Sequence, residues 1–280
     1  RYQALAHVLG KGPDLPGGVN DSEIPSQNGP IPIRIYRPLG EGPHPALIFY
    51  HGGGFVIGDL NTHDKECRLL CAKAGCIVVA VDYRLAPESP FPAAVEDAWA
   101  ALEWIASEGS KLGIDTTRLA VGGDSAGGNL SAVVALMARD ASLDLKLQML
   151  VYPATDASKY YESFSENKDG PLLTVEVIEW FWSHYLGKAT GDEVRNDWRF
   201  SPAKAASHNG VAPSYIATCS ADPLRDEGNA YAAQLSEAGV NVQHSMFEGQ
   251  PHILFQLFNI CEGGKDLIDE CAAALDKAFG

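Results

Sequence analysis

Short apolar runs alternate with longer stretches of helical spacing along most of this chain, and that alternation limits its possible folds more than any other feature. The runs ALIFY (46–50) and CIVVAVD (76–82) are too short for helices and apolar without a break, as strands buried on both faces must be. Between them, residues 63–74 have helical spacing through Leu69, Leu70 and Ala74, with Gly75 placed as a C-cap. An alternating strand, PIRIYR (32–37), precedes these units. A helix at 93–107, a strand at 119–122, a helix at 127–139 and a strand at 147–152 follow. Repeated strand–helix–strand units predict a mostly parallel sheet with helices on both faces. After Tyr152 the rhythm breaks across a segment that carries Trp180, Phe181, Trp182 and Tyr185, which reads as an inserted helical cap. It resumes with a strand at 215–219, a helix at 226–238 ended by Gly239, a strand at 241–247 and a helix at about 267–279. One domain of 280 residues around a single core is expected.

Composition removes several function classes. Against 36 Asp and Glu stand only 21 Lys and Arg, for a formal net charge of -15, so no basic face is available for nucleic acid and an anionic membrane repels the chain. No apolar run reaches membrane-spanning length. The start, RYQALAHVLG, has neither a basic leader nor a long apolar stretch, so neither a signal peptide nor membrane insertion is expected. A cytoplasmic location follows, and the missing initiator methionine reads as N-terminal trimming. The six cysteines (Cys67, Cys71, Cys76, Cys219, Cys261 and Cys271) form no C-x-x-C pair and no zinc-finger spacing. They are expected as reduced thiols, with Cys67 and Cys71 as small buried side chains rather than metal ligands.

The chemistry lies in three places. Gly123-Asp124-Ser125-Ala126-Gly127 sits directly between a predicted strand and a predicted helix. A G-x-S-x-G in that context is a nucleophile elbow, whose sharp turn strains the serine and demands small neighbours. His51-Gly52-Gly53-Gly54-Phe55 directly follows the strand ALIFY. Successive glycines let backbone N–H groups approach a ligand, as an oxyanion hole requires; the expected donors are the N–H groups of Gly53, Gly54 and Ala126. A phosphate cradle is the rival reading, but no Lys-Ser or Lys-Thr pair follows the glycines.

A serine hydroxyl needs a base that an acid holds in place, and this chemistry on such sheets runs in chain order serine, acid, histidine. Asp222 follows the strand at 215–219 and His252 follows the strand at 241–247, so both stand where open α/β sheets build their sites. Asp226 and Glu227 compete for the acid role, yet they fall at the start of the next helix, where carboxylates serve capping and the dipole. Of the other histidines, His244 lies within a strand, His184 and His208 in or near the insertion, and His7, His44 and His63 before the serine. His51 is assigned to shaping the glycine loop.

HGGGF, DYRLAPE (82–88), GDSAGG (123–128), DPLRDE (222–227) and Pro251-His252 together resemble the hormone-sensitive-lipase family of esterases, over roughly residue 46 to the end. The resemblance implies the α/β-hydrolase fold, the GDSAG branch and carboxylesterase activity on short- to medium-chain esters. It also implies a cap made from about 1–25 plus an insertion at about 155–208, and a dimer formed by edge strands. The family often has Gly-Phe after the histidine, where this chain has Ile253-Leu254-Phe255. Asp82, Arg84 and Glu88 of DYRLAPE are expected to tie their loop into a buried ion network. The functional expectation is a serine carboxylesterase with catalytic Ser125, His252 and Asp222, acting on a small-molecule ester with no cofactor and no metal. The alternatives are an inactive small-molecule receptor on the same scaffold, or an amidase, deacetylase or lactonase.

Overall fold

A computed structural model describes residues 12–188 and 191–280. Eight strands form one sheet among them: β1 (Val19–Ile24), β2 (Ile31–Tyr36), β3 (His44–Tyr50), β4 (Ile77–Val81), β5 (Ile114–Asp124), β6 (Leu147–Val151), β7 (Ser214–Ala221) and β8 (Val242–Pro251). Their order is β1-β2-β4-β3-β5-β6-β7-β8. The pairs β1–β2 and β2–β4 are antiparallel, and all pairs from β4 to β8 are parallel.

The crossover helices cover both faces, as the sequence pattern demands. Along β3, Leu47 and Phe49 point into one apolar cluster with α1 (Asp64–Ala74) and α8 (Glu262–Phe279). Ile48 and Tyr50 point into the other, with α2 (Ala93–Glu108) and α3 (Ala126–Asp140). Both faces of β3, β4 and β6 are therefore buried, which explains their unbroken apolar runs. Gly75 closes α1 in the left-handed region (φ 62°), its N–H donating to the carbonyl of Cys71. Cys67, Cys71, Cys76, Cys219 and Cys271 are buried free thiols and Cys261 is partly buried.

Between β6 and β7 lie the short helix α4 (Glu162–Glu166), the longer α5 (Val175–Leu186), the single turn α6 (Asp192–Arg195) and a 3₁₀ turn, Pro202–Lys204. The helix α7 (Arg225–Glu237) joins β7 to β8.

Several expectations change in detail. β1 carries no apolar alternation because it is an edge strand with four consecutive exposed residues, so the sequence hides it. Of the N-terminal stretch assigned to a cap, residues 1–11 lie outside the described residues and Val19–Ile24 is this edge strand. β8 runs to Pro251 and α8 starts at Glu262, each beyond the predicted boundary. The ion network of DYRLAPE is corrected as well. Arg84 reaches out of the motif to Asp97 of α2 at 2.8 Å and Glu96 at 3.2 Å, while Glu88 is exposed and Asp82 partly buried.

Candidate active site

β5 ends at Asp124 and α3 begins at Ala126, so Ser125 alone makes the turn. Its backbone adopts φ 55° and ψ −116°, a region that non-glycine residues enter only when their surroundings force them. The first turn of α3 presses on the end of β3 so closely that a Cβ on Gly127 would stand 1.8 Å from the carbonyl oxygen of Tyr50. Only glycine fits there.

Two neighbouring parallel strands deliver the other groups. Asp222 follows β7 directly and is 0% exposed; His252 follows β8 directly and is 3% exposed. His252 Nδ1 lies 2.6 Å from Asp222 Oδ2, and His252 Nε2 lies 3.0 Å from Ser125 Oγ. The other carboxylate oxygen of Asp222 accepts the Leu224 N–H at 2.9 Å. A carboxylate against Nδ1 puts the ring proton on that nitrogen and leaves Nε2 to accept from the serine hydroxyl. The structure thus brings Ser125, His252 and Asp222 into one unbroken hydrogen-bonded line. The rival carboxylates point elsewhere. Asp226 accepts the Ser163 N–H at 2.8 Å and pairs with Arg225, and Glu227 accepts the Thr155 N–H at 2.6 Å.

The glycine loop leaves β3 with Gly53 at φ 120° and Gly54 at φ 61°. Among the described residues, no acceptor is bonded to the N–H groups of Gly53, Gly54 or Ala126. His51 shapes the loop from behind. Its Nδ1 lies 2.7 Å from the Gly52 carbonyl and its ring stacks on Tyr83, with centroids 4.4 Å apart. Burial, with the nearby His63 charge adding to it, lowers the His51 imidazole to about 4, so it stays neutral and donates to that carbonyl. The remaining described histidines bind elsewhere: His44 to the Gly40 carbonyl, His184 to the Trp180 carbonyl, His208 to the Pro202 carbonyl and His244 to the Thr218 hydroxyl. His63 pairs with Asp124. His7 lies outside the described residues.

Ser125 and His252 open on a cavity of about 730 Å³ whose walls are mostly aliphatic and aromatic, the size and character of a small-molecule site. Leu172, Leu173, Val177, Ile178, Phe181 and Trp182 line it from the insertion, while Leu224 and Ile253 line it from the segments after β7 and β8. Ile253 lies in the left-handed region at φ 63°, an outlier for a β-branched residue, and puts an aliphatic wall where the resembling family often has glycine. Phe181 rests on the glycine loop so closely that a Cβ on Gly54 would meet its ring at 2.2 Å. Phe55 of the same loop stacks on Tyr185 at 3.9 Å. Sequence reasoning missed the particular contacts of Phe181, Leu224 and Asp124, since each depends on tertiary placement. Among the described residues, no group of three or more His, Cys, Asp or Glu side chains converges as a metal site.

Comparison with known proteins gives a family. A sequence profile described as alpha/beta hydrolase fold matches residues 47–256. A carboxylic ester hydrolase of Mycobacterium tuberculosis, LipN, is 46% identical over 270 residues, covering 94% of this chain and 71% of the relative. An ethyl acetate hydrolase of Pseudomonas putida is 39% identical, covering 93% of this chain and 82% of the relative. Among solved structures, a hyperthermophilic esterase from the archaeon Pyrobaculum calidifontis superposes with a TM-score of 0.93 at 39% identity, covering 99% of this chain and 88% of that one. A mutant of an α/β-hydrolase enzyme from the metagenome of Lake Arreo, Spain, gives 0.94 at 41% identity, covering 100% and 88%.

Proposed function

The chain belongs to the α/β-hydrolase-fold family, in its hormone-sensitive-lipase-like branch, and on that premise we propose that it hydrolyses carboxylic esters with Ser125, His252 and Asp222 as its catalytic groups. One observation carries the reading: the line Ser125–His252–Asp222, at 3.0 and 2.6 Å, opens onto an apolar cavity of about 730 Å³. Ser125 Oγ attacks the ester carbonyl while His252 Nε2 takes its proton, and Asp222 holds the imidazolium that forms. The tetrahedral oxyanion rests against the N–H groups of Gly53, Gly54 and Ala126. Collapse expels the alkoxide, which leaves with the proton from His252. Water then attacks the acyl-serine, gives its proton to His252, and the acid departs as Ser125 regains its hydrogen.

The insertion at about 155–208 serves as the cap in this reading. Its side chains form much of the cavity wall, which favours short- to medium-chain acyl groups over long ones. Each methylene that fits contributes about 0.8 kcal/mol of burial, or about fourfold in kcat/KM. Among the described residues no helix is long and apolar enough to cross a membrane. A cytoplasmic location and a dimer through edge strands complete the proposal; β8 is one of the two outer strands.

The test is a panel of p-nitrophenyl esters from acetate to palmitate, run on the wild type and on Ser125→Ala. Turnover should peak between about four and eight carbons, where methylene burial still pays before the cap wall is met. Ser125→Ala should remain folded by circular dichroism and lose roughly four to six orders of magnitude in rate, because such groups act as a unit. A fluorophosphonate should label Ser125 alone. Turnover of no ester by the wild type, or undiminished turnover by the variant, sinks the reading.

A further inference from the structure

Asp124 precedes Ser125 and is 1% exposed, yet four donors from four separate segments converge on its carboxylate. The Gly52 N–H of the glycine loop reaches Oδ1 at 2.9 Å. His63, the residue that opens α1, places Nε2 3.1 Å from the same oxygen. Gln256, in the 3₁₀ turn Leu254–Leu257 that follows His252, donates from Nε2 to Oδ2 at 3.1 Å. The Tyr152 hydroxyl, just past the end of β6, reaches Oδ2 at 3.5 Å, sharing its one proton with Gln256 Oε1 at 3.3 Å. A buried carboxylate survives as a charge only when paired and hydrogen-bonded, and His63, also buried, is the cation in reach. Burial works against the His63 charge, but the Asp124 carboxylate beside it, with Glu66 and Asp59 further off, holds the imidazole above its ordinary range. Thr62 Oγ1 contacts the other ring nitrogen at 3.0 Å, and the neutral His51 ring lies 5.6 Å away.

This second Asp–His pair is distinct from Asp222–His252. Its geometry answers a need that the glycine loop itself leaves open, because Gly52, Gly53 and Gly54 have no side chains with which to hold a shape. Donors to a developing oxyanion are effective only when fixed in advance. A single carboxylate bonded to Gly52, attached to the elbow by the chain and linked through Gln256 to the turn after His252 sets all three segments at one spacing.

Resting on the ester-hydrolase reading above, we propose that Asp124, with His63 as its counter-charge, is a positioning residue that keeps the glycine loop and the histidine turn in register with Ser125.

Asp124→Asn, His63→Ala and His63→Gln in the full chain test it, with kcat and KM for p-nitrophenyl butyrate expressed per fluorophosphonate-labelled serine. Normalising in this way separates misfolded protein from displaced chemistry. Affinity for an aryl trifluoromethyl ketone, whose hemiketal oxygen occupies the oxyanion position, is measured alongside. Asp124→Asn should lower kcat per labelled serine about 100-fold and His63→Ala about 10-fold, as displaced oxyanion donors do. KM should stay within about threefold, and His63→Gln, which keeps a donor toward Asp124, should recover part of the loss. Ketone affinity should fall in step with kcat/KM.

Wild-type kcat per labelled serine with unaltered ketone affinity, whatever the melting temperature, overturns the proposal, as does a loss confined to KM. If Asp124→Asn gives no folded protein, His63→Ala and His63→Gln decide by the same criteria. Failure of the wild type to turn over any ester would refute the ester-hydrolase reading instead, so the two failures remain distinct.

Discussion

At the residue scale, two carboxylates close to the site lead opposite lives. Asp222 meets His252 at 2.6 Å, whereas Asp226 sits at the start of α7 and serves Ser163 and Arg225. Asp222→Asn should slow ester turnover by about four orders of magnitude, since the amide favours the wrong imidazole tautomer, and Asp226→Asn should cost far less. The reverse ranking in steady-state assays would move the acid. Glu227, behind this pair, is pushed up to about 8, by burial first and by the neighbouring Asp156 and Asp222 charges. Between the unfolded carboxyl range and about pH 8 the folded protein therefore holds a proton that the unfolded chain has released. The stability this contributes is complete at low pH and lost as pH rises through the folded value, at up to ~1.4 kcal/mol per pH unit. Glu227→Gln should flatten the decline between pH 7 and 8, where the buried Glu66, raised to about 7, is already ionising. Urea midpoints at the two pH values check it, and an equal decline in wild type and variant refutes it. That Ser125, Asp222 and His252 come together was legible in sequence, because chain order and strand ends single them out. Asp124 and His63 were not, since their pairing joins residues from different strand–helix units that no local pattern links.

At the element scale, the strand–helix units were legible because both faces of the central strands are buried and leave a plain apolar signature. β1 was not legible, its exposed face carrying the polar residues of an edge. The insertion was legible as a break in rhythm and an aromatic cluster, but its contacts are tertiary. Its α5 places Phe181 on Gly54 and Tyr185 on Phe55, so one helix forms both a wall of the cavity and a brace for the glycine loop. Removing the Phe181 ring enlarges the cavity that Ser125 opens on. Phe181→Ala should raise kcat/KM for the dodecanoate relative to the butyrate p-nitrophenyl ester by about tenfold, the worth of one to two newly buried methylenes. An unchanged ratio would show that the ring only packs the helix.

At the scale of the whole molecule, the chain carries a net charge of -15, and among the described residues the cavity wall has no Lys or Arg. A neutral ester enters without opposition, while an anionic one is repelled over a distance set by salt. A p-nitrophenyl hemisuccinate should be a poorer substrate than the neutral ester of equal length. The gap should narrow as ionic strength rises from about 0.01 M to 1 M and the screening length falls from about 30 Å to 3 Å. A gap that ignores salt would place the discrimination in the pocket walls.

The strand order has a further consequence for how the protein is made. The glycine loop, Ser125, Asp222 and His252 follow β3, β5, β7 and β8, in the sequence in which a ribosome releases them. A chain halted between residues 125 and 252 can hold a serine at its elbow but no His252 beside it. On the proposed roles, the Ser125 hydroxyl therefore stays an ordinary alcohol until all eight described strands have been synthesised and residue 252 has been added.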